Sequence, residues 1–154
     1  MLFNPSRDEA RHFMIESWRK HQIPGLEPMT DLEKMTAAVL LRHPEYHHFL
    51  MPDYLDQDWP VEYGETNPFL HISMHLAIEE QLSIDQPFGI RALYGELCKV
   101  AGNEHDAQHW MMEGLGEMLW QAQRYGLPPD PSVYLNILRQ KLPGSATNPP
   151  NQPT

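Results

Sequence analysis

The chain has 154 residues, the size of one ordinary domain, long enough to bury roughly two-thirds of its unfolded surface. With 21 acidic against 11 basic residues its formal charge is −10, the wrong sign for gripping phosphate backbones or an anionic lipid surface, so neither nucleic acid nor a membrane is expected as a partner. The single cysteine, Cys98, excludes an intrachain disulfide and any multi-cysteine zinc cage.

No apolar run approaches the roughly 18 residues of a membrane span, and the opening MLFNPSRDEARHF lacks the basic-then-apolar layout of a signal peptide. A cytoplasmic protein is therefore expected. Ser6 is a plausible N-cap for a first helix, with Asp8 and Glu9 in its first turn and Phe13, Met14 and Trp18 spaced as a helical stripe. This helix stops before Pro24-Gly25. Thr30-Asp31-Leu32-Glu33 reads as a capping box opening a second helix, with Leu32, Met35 and Val39 on one face. Pro44 ends it, because the residue before a proline resists helical geometry, and then begins a new turn carrying His47.

Residues 51–66 (MPDYLDQDWPVEYGET) read as a long loop, a crossover or lid, in which Trp59 and Tyr63 are candidate contacts for a protein partner. Asn67-Pro68 opens a third helix that runs to about Ser83. A fourth spans about 88–101 and ends at Gly102. Asn103 caps a long fifth helix that reaches Tyr125 and stops at Gly126; Asp130-Pro131 opens a last one to about Lys141. Cys98, among Leu97, Lys99 and Val100, reads as a small core residue rather than a nucleophile. Six helices and no alternating strand pattern predict an all-α bundle: one domain over residues 1–142, then a disordered tail over 143–154 of low-complexity sequence.

Six of the nine histidines fall into three pairs spaced by four: His43/His47, His71/His75 and His105/His109. Random placement of nine histidines gives about half such a pair, so three is an excess. Residues i and i+4 project from one face of a helix on adjacent turns, so both imidazoles of a pair can reach one ion or two neighbouring ions. His71 and His75 share a stripe with Met74, Ile78 and Leu82. His105 and His109 continue to Glu113 and Glu117 beside the stripe Met112, Leu115 and Leu119. A lone core histidine is ordinarily just hydrogen-bonded. Two inward pairs with Glu113 in register are better satisfied by a bound cation. The His43/His47 pair is interrupted by Pro44, and of Glu79 and Glu80 the wheel alone selects neither. Mixed imidazole and carboxylate donors predict a divalent transition metal, iron or manganese ahead of zinc or nickel.

The segments FNPSRDEARHF, HPEYH (43–47), NPFLHISMHLAIEEQLSIDQPFGIR (67–91) and HDAQHWMMEGLGEMLWQAQR (105–124) resemble a small bacterial family classed as a domain of unknown function. The likeness covers most of residues 3–140. It implies that His43, His47, His71, His75, Glu80, Gln81, His105, His109 and Glu113 lie in the family's signature segments, and it favours Glu80 over Glu79 as a ligand. In spacing alone, His71/His75, His109/Glu113 and His75/Glu80 are similar to the helices of hemerythrin-like di-iron bundles. His47 with either later pair is similar to the three-histidine site of DinB-like bundles. Function does not follow from spacing.

The metal ligands expected from the sequence are thus His43, His47, His71, His75, Glu80, His105, His109 and Glu113. The expected function is a non-haem metal-binding bundle, dinuclear by ligand count, with a redox or sensing role. The competing readings are a mononuclear metal-dependent transferase or hydrolase of DinB-like type, and a metal-free adaptor for a protein partner or a second copy of the chain.

Overall fold

The structure, a computed structural model, describes residues 7–25, 27–54 and 67–144. Among these residues there are six α-helices and no strand: α1 (Arg7–Gln22), α2 (Asp31–Leu41), α3 (Pro68–Ile84), α4 (Ile90–Ala101), α5 (Glu104–Tyr125) and α6 (Pro131–Arg139). The all-helical architecture is the one the sequence predicts. The expected cap at Ser6, the contacts at Trp59 and Tyr63, and the tail beyond Gly144 lie outside the described residues.

Helix boundaries follow the capping chemistry. The Thr30 hydroxyl accepts from the Glu33 amide at 3.1 Å, and the Glu33 carboxylate accepts from the Thr30 amide at 2.8 Å, closing the capping box that starts α2. At α3 the Asn67 side-chain oxygen accepts from the amides of Phe69 (3.0 Å) and Leu70 (3.2 Å), and Pro68 occupies the first helical position, where its missing N–H costs nothing. Asn103 and Asp130 cap α5 and α6 in the same way, and Gly126 ends α5 in the left-handed conformation, φ +64°. After α2 the proline takes effect. His43 sits at φ −129°, ψ 62°, and Pro44 opens a short 3₁₀ helix, Pro44–Phe49, followed by another at Pro52–Tyr54.

The chain divides into two compact units, Met1–Glu80 and Gln81–Thr154. The core of the first is built from Met14, Ile15 and Trp18 of α1, Val39 and Leu40 of α2, Leu50, and Phe69, Ile72 and Leu76 of α3, with Met35, Tyr46 and Phe49 packed against it. Arg11 is buried with them, its guanidinium 4.8 Å from the Phe69 ring centre, an arrangement that shields the charge against the π face. Arg42, the residue that caps α2, reaches Glu79 of α3 at 3.3 Å.

In the second unit α5 packs on α4 and α6 around Ile90, Leu93, Leu97, Ala107, Met111, Leu115, Tyr134 and Leu138. The face α5 buries is turned from the expected Met112/Leu115/Leu119 stripe: Ala107, Gln108, Met111, Gly114 and Leu115 are buried, while Leu119 is 46% exposed. The reason is the close approach that Gly114 allows. A Cβ there would lie 3.1 Å from Cδ1 of Tyr134 and 3.4 Å from Cδ2 of Leu138, so α6 settles on the glycine face. The Tyr134 hydroxyl donates to the Gln81 side-chain oxygen at 2.7 Å, and Arg91 holds the end of α3 by donating to the carbonyls of Leu82 (2.9 Å) and Ser83 (3.0 Å).

Candidate metal centre

His43 owes its position to the break at Pro44. The chain leaves α2 without continuing its spiral, and the ring turns back under the helix, where only 1% of the residue remains exposed. Its Nδ1 lies 2.8 Å from the Val39 carbonyl. A carbonyl only accepts, so Nδ1 carries a proton, and in the neutral ring the lone pair lies on Nε2. This is the orientation that metal-ligating histidines commonly take from a backbone carbonyl.

His75 lies on the core-facing side of α3 and is fully buried, whereas His71, one turn earlier, is half-buried. The three rings stand together: His43 and His75 have centres 4.7 Å apart, His43 and His71 5.0 Å, and His71 and His75 4.9 Å. Tyr46 closes one side, parallel to His43 at 5.6 Å and edge-on to His71 at 5.7 Å. Burial pushes the Tyr46 hydroxyl above its ordinary pKa, and the nearby Glu45 charge adds to the effect. On α5, His105 and His109 stack edge-to-face with centres 4.3 Å apart, as i, i+4 neighbours on one helical face should.

Four of these side chains form one group. The ligand atoms of His43, His75, His105 and His109 all lie within 4.8 Å of one another. Nε2 of His43, His75 and His109 and Nδ1 of His105 are shielded from solvent. Four clustered imidazoles of this kind could hold a metal ion.

The other expected ligands fall elsewhere. His47 donates through Nε2 to the Leu40 carbonyl at 2.7 Å and packs on Trp18 with ring centres 4.2 Å apart, so it helps close the end of α2. The i, i+4 count that joined it to His43 does not survive the change from α-helical to 3₁₀ geometry at Pro44. Glu113 is an exposed residue on α5, paired with Lys141 at 3.0 Å with 63% of its side chain accessible. Glu79 is held by Arg42, and Glu80, half-buried on α3, is outside the four-histidine group. Tyr46 is the neighbour that histidine spacing did not single out. Its place inside the HPEYH segment was the available signal. Cys98 behaves as a partly buried thiol that burial pushes above its ordinary pKa, consistent with a packing role.

A family model described as a domain of unknown function (DUF1841) matches residues 6–140, a span that contains all four grouped histidines. The chain belongs to that family. No curated protein and no solved structure matches it. Membership in DUF1841 agrees with the likeness expected from the HPEYH, NPFLHISMH and HDAQH segments. Among the described residues no helix is long and apolar enough to cross a membrane.

Proposed function

We propose that this chain binds one divalent transition-metal ion through His43, His75, His105 and His109, as a non-haem centre with a redox or sensing role. The observation that carries the reading is the convergence of four imidazole donors within 4.8 Å of one another. Protonated rings at that separation would repel one another, so the set suits neutral imidazoles sharing one cation. Ligand nitrogens around a tetrahedral ion bound at about 2.0–2.1 Å are roughly 3.3–3.4 Å apart, so the longest edge of the group would close by about 1–1.5 Å on binding.

The donor chemistry narrows the ion. Imidazole suits iron, nickel, zinc and copper(II) better than magnesium, calcium or manganese, which prefer oxygen. Four nitrogens saturate tetrahedral zinc and would make a closed, structural site. The same four leave open positions on a six-coordinate ion such as iron(II), and an exogenous small molecule can bind there. That difference is what a redox or sensing role requires. The engagement of Glu113 by Lys141 favours one ion over a carboxylate-bridged pair.

The test is reconstitution of protein purified without an affinity tag, under anaerobic conditions, with iron(II), nickel(II) or zinc(II) in separate samples. About one ion per chain is expected, and none in a His105→Ala/His109→Ala variant that keeps its far-ultraviolet circular dichroism. These two residues are only partly buried, so their loss disturbs the packing less than loss of the buried His75. A wild-type stoichiometry near zero for every metal overturns the proposal, and two tightly held ions per chain overturn the single-ion assignment.

A further inference from the structure

We infer that His71 is a fifth, exchangeable imidazole donor that raises the coordination number of the bound ion and so selects six-coordinate metals over tetrahedral zinc. The inference rests on the four-histidine site proposed above and assigns a role to a residue outside that group. The geometry carries it. The His71 ring is 5.0 Å from His43 and 4.9 Å from His75, nearly the 4.7 Å that separates those two grouped rings from each other. It meets both rings edge-on, at interplanar angles of 76° and 68°.

Two further features make the donor exchangeable. His71 is half-buried where His75 is sealed, so part of its ring borders solvent while the rest faces the neighbouring histidines. It also lies in the first turn of α3: its amide donates to the Asn67 carbonyl at 3.0 Å, at the end of the helix where local opening costs least. Tyr46 stands edge-on to His71 and parallel to His43, and this wall limits the directions in which the imidazole can move. Because i and i+4 side chains share a face, His71 stands on the side of α3 that carries His75, within one turn of it. A fifth nitrogen is superfluous to a tetrahedral ion and useful to one that prefers six ligands.

Cobalt(II) reports coordination number through its visible spectrum: tetrahedral sites absorb strongly, and five- or six-coordinate sites weakly. Wild-type protein loaded with cobalt(II) is expected to show the weak bands. His71→Ala should raise visible absorptivity per cobalt several-fold, and added free imidazole should return it toward the wild-type spectrum. Nickel(II) affinity should fall by roughly tenfold or more, the scale of losing a group that supports a metal site, while zinc(II) affinity stays within about twofold. A packing role for His71 would give neither the imidazole rescue nor the split between nickel and zinc. Wild-type protein that binds cobalt with a tetrahedral spectrum unchanged by His71→Ala overturns the inference and leaves the four-histidine site standing. Failure of the wild type to bind cobalt, nickel or zinc at all overturns both.

Discussion

At the scale of single residues, several side chains that looked interchangeable in the sequence take different tasks once the backbone is fixed. His43 and His47 share a spacing of four, yet one donates to Val39 and joins the histidine group while the other donates to Leu40 and packs on Trp18. Glu113 and Glu33 are both acidic residues on helices, but Glu33 is the one held in a network. It accepts from Lys20 at 2.8 Å and from the Thr30 amide, and these contacts, led by Lys20, hold its carboxyl below its ordinary 4.5. A carboxyl depressed in the folded state contributes stability above its unfolded pKa and loses that contribution as pH falls through the folded value. Glu33→Gln should therefore destabilise the protein most near neutral pH, with the gap to wild type shrinking toward about pH 3; urea midpoints across that range test it. A gap that widens on acidification contradicts the assignment. Glu113→Gln removes an exposed partner of Lys141. It should leave metal stoichiometry unchanged and shift stability by less than about 1 kcal/mol, as measured by metal analysis and urea denaturation.

At the scale of elements, caps were the most legible part of the chain. Thr30–Glu33, Asn67-Pro68, Asn103 and Asp130-Pro131 each start a helix where their chemistry predicts. A cap is a local device, complete within four residues, so sequence suffices to find it. The buried face of α5 was not legible in this way. Which stripe packs inward depends on Tyr134 and Leu138, distant in sequence, meeting Gly114. The two glycines of α5 give a direct comparison. Gly116 has open space at its Cβ position, so Gly116→Ala should gain roughly 0.5–1 kcal/mol from helix propensity. Gly114→Ala gains the same propensity but sets a methyl 3.1 Å from Tyr134, a ring fixed by burial and by its bond to Gln81. It should come out less stable than Gly116→Ala by about 1 kcal/mol or more in urea denaturation. Equal stability of the two variants would mean that α6 shifts freely.

At the scale of the whole molecule, the histidine excess was visible in the sequence, but the membership of the group was not. Spacing placed six histidines and two glutamates on candidate faces; the fold collects His43, His75, His105 and His109, and sets His71 beside two of them. Proline geometry at 43–44 and the packed face of α5 decide the selection, and neither is a property of a histidine pair alone. A metal that binds the folded chain and not the unfolded one raises its stability by mass action, so saturating nickel(II) or zinc(II) should raise Tm and chelation should lower it again. Calorimetric Tm values with and without metal check this, and a metal that leaves Tm unchanged while bound would place the ion off the fold. The central claim is the identity of the donors. X-ray absorption of the nickel(II)- or zinc(II)-loaded protein tests it most directly, because imidazole rings leave a characteristic outer-shell scattering pattern that can be counted. A first shell of nitrogen or oxygen at about 2.0–2.1 Å with at least four imidazoles is expected. A shell containing sulfur, or one with no more than two imidazoles and the remainder carboxylate or water, would contradict it.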